Sequence, residues 1–454
     1  MPRVMISWVI QGLGAGGLLT LAFTIISDVV SPRERGRYQG LFGAVFGISS
    51  VAGPLVGGYF AETDWRWIFY INVPLAVLAI VVCYHVMRLI PFERRDHSID
   101  WLGAGLLVAG VSSLLLALSW GGNEYAWGSG LIIGLFVVGA VLGVLFVLQE
   151  ARVAEPILPL RLFRSASFAL ANSALLIIGL VMFGSIIFIP LYLQIVKGAS
   201  PTRSGLLMLP MMAGIIITSI LTGRAMSRIG RYKWFPVAGS VLLLVGMFLF
   251  TQLEVSTSLW VAFGYMVVIG VGLGLCMQSL ILAVQNAVSV RDLGAGTSSA
   301  TFFRSLGGSF GVAILGTVLS SRLTSGLADR LPDAIAQLPP QERAAVAASG
   351  GSNISINDPA TILALPGPVR AAIQNAFVDA LDMVFLTAGL IAILAVVVTL
   401  TLPNTPLRGA GPKGATGGAD PLGGKAPASG GKPLTRESKE EAAADMEAKS
   451  QTMI

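Results

Sequence analysis

Among the ionisable side chains that fall within long apolar runs of this 454-residue chain, Arg304, Asp379 and Asp382 are of types that suit the transfer of protons or the binding of charge. Arg304 lies about two turns into one run, while Asp379 and Asp382 stand about one turn apart at the start of another. A charge in apolar surroundings is costly, so it needs a partner or a task. We interpret Arg304 either as a coupling residue or as a structural latch, and the two acids either as proton-exchange groups or as a solvated helix cap.

Neutral amides inside apolar runs form a second set of candidates. They either hydrogen-bond between helices or line a cavity that binds a ligand. The candidates are Gln11, Asn172, Gln194, Gln278 and Gln285. Methionine and aromatic side chains also suit an adaptable apolar cavity, although most of them will face lipid or core. This third set comprises Met182, Phe183, Phe188, Met208, Met211, Met212, Phe302 and Phe303.

The elements that must position these residues are membrane helices. Hydrophobic residues make up 54% of the chain and charged residues 12%, with a mean hydropathy of +0.78, which a soluble globular protein does not carry. We find about eleven apolar runs of roughly 20 residues, the length of helix that crosses a hydrocarbon core of about 30 Å. The runs are 4–30, 40–61, 67–87, 102–120, 130–149, 168–196, 205–221, 235–251, 259–287, 295–320 and 377–402. The sequence therefore predicts an all-α polytopic membrane protein.

Loop charges predict the orientation of these helices, because Lys and Arg are retained in cytoplasmic loops. Alternate loops carry arginine clusters, among them those at 33–37, 88–95 and 224–231. This pattern predicts a multi-pass protein of the inner (plasma) membrane, with the C-terminus in the cytoplasm and the first residue outside. Because the cations lie in these short loops, the net charge of +6 does not indicate nucleic-acid binding.

A short charged loop follows the first run. It reads Ser-Pro-Arg-Glu-Arg-Gly-Arg over 31–37 and places Asp28 and three arginines, Arg35 among them, at the inner membrane face. We interpret it either as a topology anchor or as a latch whose ion pairs break as two helical halves rock against each other.

The second run carries Gly53, Pro54, Gly57 and Gly58 near its end, before an aromatic stretch over 65–74. Small residues let helices approach closely, and Pro54 removes one backbone hydrogen bond. With these motifs the chain resembles the major facilitator superfamily, and within it the fourteen-helix drug:proton antiporters of the EmrB/QacA type. Further stretches resemble the family in order: 11–14, 99–103, 192–194, the loop motif with Gly223, Arg228, Gly230 and Arg231, and 304–308.

The resemblance implies the major facilitator fold and the export of lipophilic or amphipathic drugs or cations in exchange for protons. It implies the rest of an N-terminal half over 1–90, two linker helices over 99–150 and a six-helix C-terminal half over 165–402 with an external loop over 322–375. We expect a disordered cytoplasmic tail over 403–454. The first three family helices are expected to be absent, and Trp8 stands where the family has an arginine linked to proton transfer.

Two other functions stay open. One is a facilitator for another solute, such as an amino acid, siderophore or lipid, and the other is a membrane fragment without transport of its own. No catalytic constellation, metal-ligand cluster or phosphate-binding loop is present in the sequence, so we expect neither an enzyme nor a cofactor. The expected partners are a small-molecule substrate, protons and the lipid bilayer.

Overall fold

The structure is a computed structural model that describes residues 66–88, 100–122, 124–289, 292–341 and 365–407, with single residues at 64, 343 and 362 and at isolated positions between Gln11 and Thr63. Its helices are α1 Trp67–Tyr70, α2 Asn72–Met87, α3 Trp101–Trp120, α4 Gly130–Glu150, α5 Ala166–Leu191, α6 Pro201–Leu207, α7 Leu209–Ile229, α8 Trp234–Phe250, α9 Leu259–Ala287, α10 Leu293–Ala336 and α11 Gly367–Thr401. A 3-10 turn Leu160–Arg164 precedes α5, and a π-helix Tyr192–Val196 continues it.

The predicted all-helical membrane architecture is confirmed. Eight segments of the described chain are long and apolar enough to cross a membrane, and α8 is apolar but shorter. These segments coincide with the predicted runs from 67–87 onward. The first two predicted runs fall mostly outside the described residues, where only isolated helical positions are described.

Six long helices, α5 and α7 to α11, pack together into a bundle. Helix α5 lies against α10, α11 and α9, while α9 also packs on α7 and α8, and α8 packs on α11. Fully buried aromatic side chains fill the interior, including Phe168, Tyr192, Phe250 and Phe385. This bundle is the scaffold on which the candidate site is built.

Glycines set the closest helix crossing in the bundle. A Cβ added at Gly307 of α10 would overlap the carbonyl oxygen of Leu176 in α5, and one added at Gly179 of α5 would overlap the carbonyl oxygen of Arg304. The two backbones therefore touch directly. In lipid, where apolar side chains gain little by leaving the solvent, such close backbone packing is a main source of helix association.

Helices α3 and α4 form a hairpin beside the bundle. Asp100 caps α3 by accepting from Gly103 N at 2.9 Å, and the same oxygen accepts from Gln149 Nε2 at 3.1 Å. Ser113 Oγ donates to Leu135 O at 2.8 Å across the two helices. Thr317 of α10 donates to Leu118 O at 3.1 Å, which attaches α3 to the bundle.

Three boundaries differ from the predicted ones. Helix α10 continues past the predicted end at 320 to Ala336. Helix α11 begins at Gly367, before the predicted start at 377. Both ends of the predicted external loop 322–375 are therefore helical. The predicted disordered tail starts at Pro403, yet Leu407 N donates to Gly230 O at 2.9 Å. The remainder of the predicted tail, from 408, lies outside the described residues.

Candidate functional site

A crevice of 730 Å³ opens between α3, α5 and α10. Its lining is mostly apolar, with hydroxyl groups at a few positions: Leu115, Ser119, Phe183, Ile187, Ser305, Gly308, Ser309, Val312, Ala313, Gly316 and Thr317. A pocket of several hundred Å³ with an apolar wall and few polar groups is typical of sites for drug-sized molecules. The crevice can therefore hold a lipophilic ligand and orient it through hydroxyl groups.

Ser305 and Ser309 provide the free hydroxyl groups of this crevice. They stand one turn apart on α10, both are exposed, and neither forms a hydrogen bond to any described residue. Other hydroxyls on α10 behave differently, since Ser299 and Thr301 donate to the carbonyl oxygens one turn earlier in the helix. Ser305 and Ser309 thus keep their hydrogen-bonding capacity for a ligand or for water.

Arg304 directly precedes the first of these serines. Its side chain is partly buried, and it makes no ion pair with any residue that the structure describes. Its backbone lies at the tight crossing with α5, because its carbonyl oxygen faces Gly179. The crossing therefore fixes the position of the Arg304 backbone relative to α5.

A second cavity, of 460 Å³, lies at the predicted outer end of the bundle and is acidic. Asp379 and Asp382 of α11 line it together with Glu254 from the loop after α8. Arg330, on the extension of α10, forms an ion pair with Asp379. The predicted pair of acids is thus joined by Glu254, which no local sequence signal connects to them because it lies far away along the chain.

The loop that carries Glu254 is held by the end of α5. Tyr192 OH donates to Glu254 O at 3.0 Å, and Lys197 Nζ donates to Val255 O at 2.7 Å and to Thr257 O at 2.5 Å. Partial burial lowers the pKa of the Lys197 ammonium group. These contacts give the acidic cavity a fixed rim.

Three of the predicted amides hydrogen-bond within the bundle, two of them to another helix. Gln194 Nε2 donates to Ser204 Oγ at 2.9 Å, and Gln285 Nε2 donates to Thr297 Oγ1 at 3.2 Å. Asn172 is buried and donates to Phe168 O at 2.9 Å in its own helix.

Gln278 is buried within α9, and none of the four amides lines either of the two cavities. For Gln194 and Gln285, the contacts are those of helix-to-helix hydrogen bonding. Of the methionine and aromatic set, Phe183 lines the crevice, whereas Met182, Met211 and Phe188 are buried in the bundle.

The loop motif between α7 and α8 has a defined shape. Gly223 is buried in α7, and Gly230 ends that helix in the left-handed conformation at φ 72°, which favours glycine. Arg228 and Arg231 are exposed on either side of this turn. The motif therefore presents two cations at the predicted cytoplasmic face.

Most of the remaining candidates precede α1. Gln11, Gly53 and Gly57 are helical positions, and a Cβ at either glycine would meet no other atom within 4 Å. The predicted close approach at these glycines is therefore absent from the described part of the chain. Asp28, Arg35, Pro54 and Gly58 lie outside the described residues.

Residues 2–312 match the profile of the Major Facilitator Superfamily. The MFS-type transporter Rv1877 of Mycobacterium tuberculosis (strain ATCC 25618 / H37Rv) is 40% identical over 410 residues, which cover 90% of this chain and 57% of that protein. The multidrug transporter protein MdtP of Bacillus subtilis (strain 168) is 36% identical over 418 residues, 88% of this chain and 76% of that protein. This chain thus spans less than two thirds of the mycobacterial relative.

Among solved structures, a bacterial homolog of the human lysosomal transporter Spinster, in an inward-facing and occupied conformation, matches at 16% identity. The match covers 84% of this chain and 91% of that chain, with a TM-score of 0.42.

Proposed function

Because this chain belongs to the major facilitator superfamily, whose members are transporters, we propose that it exports lipophilic or amphipathic drugs in exchange for protons, as the fourteen-helix antiporters that it resembles do. The observation that carries the substrate class is the 730 Å³ crevice with its apolar wall and unbonded serine hydroxyls. The name of the Bacillus subtilis relative, a multidrug transporter, supports the same class. We also place the chain in the plasma membrane with a cytoplasmic C-terminus, on the basis of its loop charges.

The proposed substrate contacts come from three helices. Phe183 and Ile187 of α5 and Leu115 of α3 supply apolar surface, and Ser305 and Ser309 of α10 supply hydrogen bonds. An apolar wall with few polar groups binds many lipophilic shapes because it demands little directional bonding. In the proposed cycle, two helical halves rock about this region and expose it to each side of the membrane in turn.

The proposed proton site is Asp382. Its neighbour Asp379 is already paired with Arg330. Asp382 lines the same cavity beside Glu254 and has no ion pair to a described residue. A carboxylate near two other acids and without a counter-charge holds a proton more readily than an exposed one. Asp382 is therefore the acid that we propose to load and release protons.

Proton coupling is tested by ethidium efflux from cells that express the chain, with and without a protonophore. We expect efflux that stops when the protonophore collapses the proton gradient. Efflux that continues unchanged would exclude proton exchange. A form extended upstream in its own reading frame, measured in parallel, separates a chain that transports unaided from a membrane fragment that needs further helices. Competition with amino acids, siderophores or lipids tests the facilitator alternative.

Filling the crevice is expected to stop transport while leaving the fold intact. Ala313→Trp places an indole in the crevice, and we expect the efflux rate to fall at least about tenfold, which corresponds to about 1.4 kcal/mol. Leu390→Trp on α11 is the matched control, because Leu390 is 55% exposed on the bundle surface and has room for the larger ring. Equal efflux rates for the two variants would remove the crevice as the substrate site.

A further inference from the structure

Helix α11 ends at Thr401 and its C-cap is Leu402. The next five residues, Pro403–Leu407, lie across the ends of other helices, and we call them the strap. Leu407 N donates to Gly230 O at 2.9 Å in the α7–α8 loop, and Asn286 Nδ2 at the end of α9 donates to Pro406 O at 3.1 Å. The strap thus connects the last helix with the loop between α7 and α8 and with α9. Its rich proline content suits an extended segment that pairs only with fixed partners.

Tyr232 is the central partner of the strap. Its side chain is fully buried, and its hydroxyl lies 2.7 Å from Thr405 Oγ1 and donates to Pro403 O at 3.4 Å. A buried tyrosine hydroxyl that loses its partner costs free energy, so these bonds favour the docked strap. Gly230 contributes through its left-handed backbone, which turns its carbonyl oxygen toward Leu407 N.

The strap hydrogen-bonds to the α7–α8 loop, and this loop lies beside Arg228 and contains Arg231. Arg231 lies between Gly230 and Tyr232, the two loop residues that hydrogen-bond to the strap. A loop bonded to the strap on both sides of one residue has less freedom to change its backbone than a loop fixed only by its own helices. The two cations are therefore set at a constant position relative to α9 and α11.

We propose that Tyr232 and the strap are positioning elements of the transport cycle: they make the α7–α8 loop move as one body with α9 and α11, so that Arg228 and Arg231 meet the other half in register. The proposal rests on the proposed transport function. Without the strap the loop moves independently of the bundle, and the two halves close at this face less often. The first test therefore measures the loop itself and needs no substrate.

Two truncations of the full chain separate the strap from the residues beyond it. One ends at Leu407 and keeps the strap, and the other ends at Asn404 and removes Thr405, Pro406 and Leu407. We expect amide hydrogen exchange in the peptide 223–233 to be unchanged in the first and at least about tenfold faster in the second. Equal exchange in the two truncations would overturn the proposal, and because the readout is independent of transport, failure of the antiporter hypothesis would leave this result untouched.

Point variants test the hydroxyl contact without shortening the chain. Tyr232→Phe keeps the buried ring and removes the hydroxyl, Thr405→Val removes its partner, and Thr405→Ser restores a hydroxyl. We expect the Tyr232→Phe and Thr405→Val variants to raise amide hydrogen exchange in the α7–α8 loop. We also expect them to lower the maximal efflux rate several-fold without raising the substrate concentration for half-maximal efflux. The Thr405→Ser variant should behave as the parent protein does. The double variant Tyr232→Phe with Thr405→Val should be no worse than either single one. Additive losses, or a loss in Thr405→Ser equal to that in Thr405→Val, would count against the contact.

Discussion

Replacing Gly307 with leucine is expected to prevent the bundle from assembling. A Cβ added at Gly307 would overlap the carbonyl oxygen of Leu176, so even one added carbon forces α5 and α10 apart. The same crossing contains Gly311, where a Cβ would lie 2.6 Å from the carbonyl oxygen of Leu180. Overpacking a core costs about 1–3 kcal/mol when side chains can yield, and a backbone carbonyl cannot yield. We therefore expect little or no folded protein.

The matched control is Gly316→Leu on the same helix, because a Cβ at Gly316 has nothing within 4 Å. Both variants receive the same side chain and lose the same glycine flexibility, so helix propensity cancels between them. The measurement is the yield of monodisperse protein in detergent, followed by its thermal unfolding midpoint. A Gly307→Leu protein with the yield and midpoint of Gly316→Leu would show that the crossing is looser than its geometry indicates.

The helices were predictable because their signal is local. An apolar run of membrane-spanning length identifies a helix whatever its neighbours are, as at Ala166–Val196 and Leu259–Ala287. The end of α10 was not predictable in this way, because Arg322, Asp329 and Arg330 end the apolar run while the helix continues to Ala336. Hydropathy reports where the chain leaves the lipid, and it does not report where the helix stops.

The candidate site also contains residues that local sequence predicts and residues that only tertiary packing brings together. Asp379 and Asp382 were found because one helical turn separates them in sequence. Glu254 joins them only through tertiary packing of the loop after α8, and the crevice depends on how α3 meets α10, which no single run of residues contains. The strap, which is the part of the predicted tail that the structure describes, shows a second limit of local signals. Proline-rich composition indicates disorder, but composition cannot anticipate a buried partner such as Tyr232.

Arg304→Ala is expected to abolish proton-coupled efflux without weakening the fold. Arg304 is a cation inside a membrane-spanning helix and has no ion pair to a described residue, so it does not hold the described bundle together. Such a charge is expensive in lipid, and we propose that it is retained for a role in binding or coupling. We expect the efflux rate to fall at least about a hundredfold, equivalent to about 2.7 kcal/mol, and the unfolding midpoint to stay the same or rise.

Two further variants define what this loss means. Arg304→Lys keeps the positive charge, on which a coupling role depends, but loses the bidentate hydrogen bonding of a guanidinium group. We therefore expect this variant to retain part of the efflux. Arg322→Ala on the same helix removes an exposed arginine and should leave efflux unchanged. If Arg304→Ala instead lowers the unfolding midpoint by several degrees and efflux falls only in proportion to folded protein, the arginine is a structural latch. The ratio of efflux to folded protein, measured in the same vesicles, therefore separates the two interpretations.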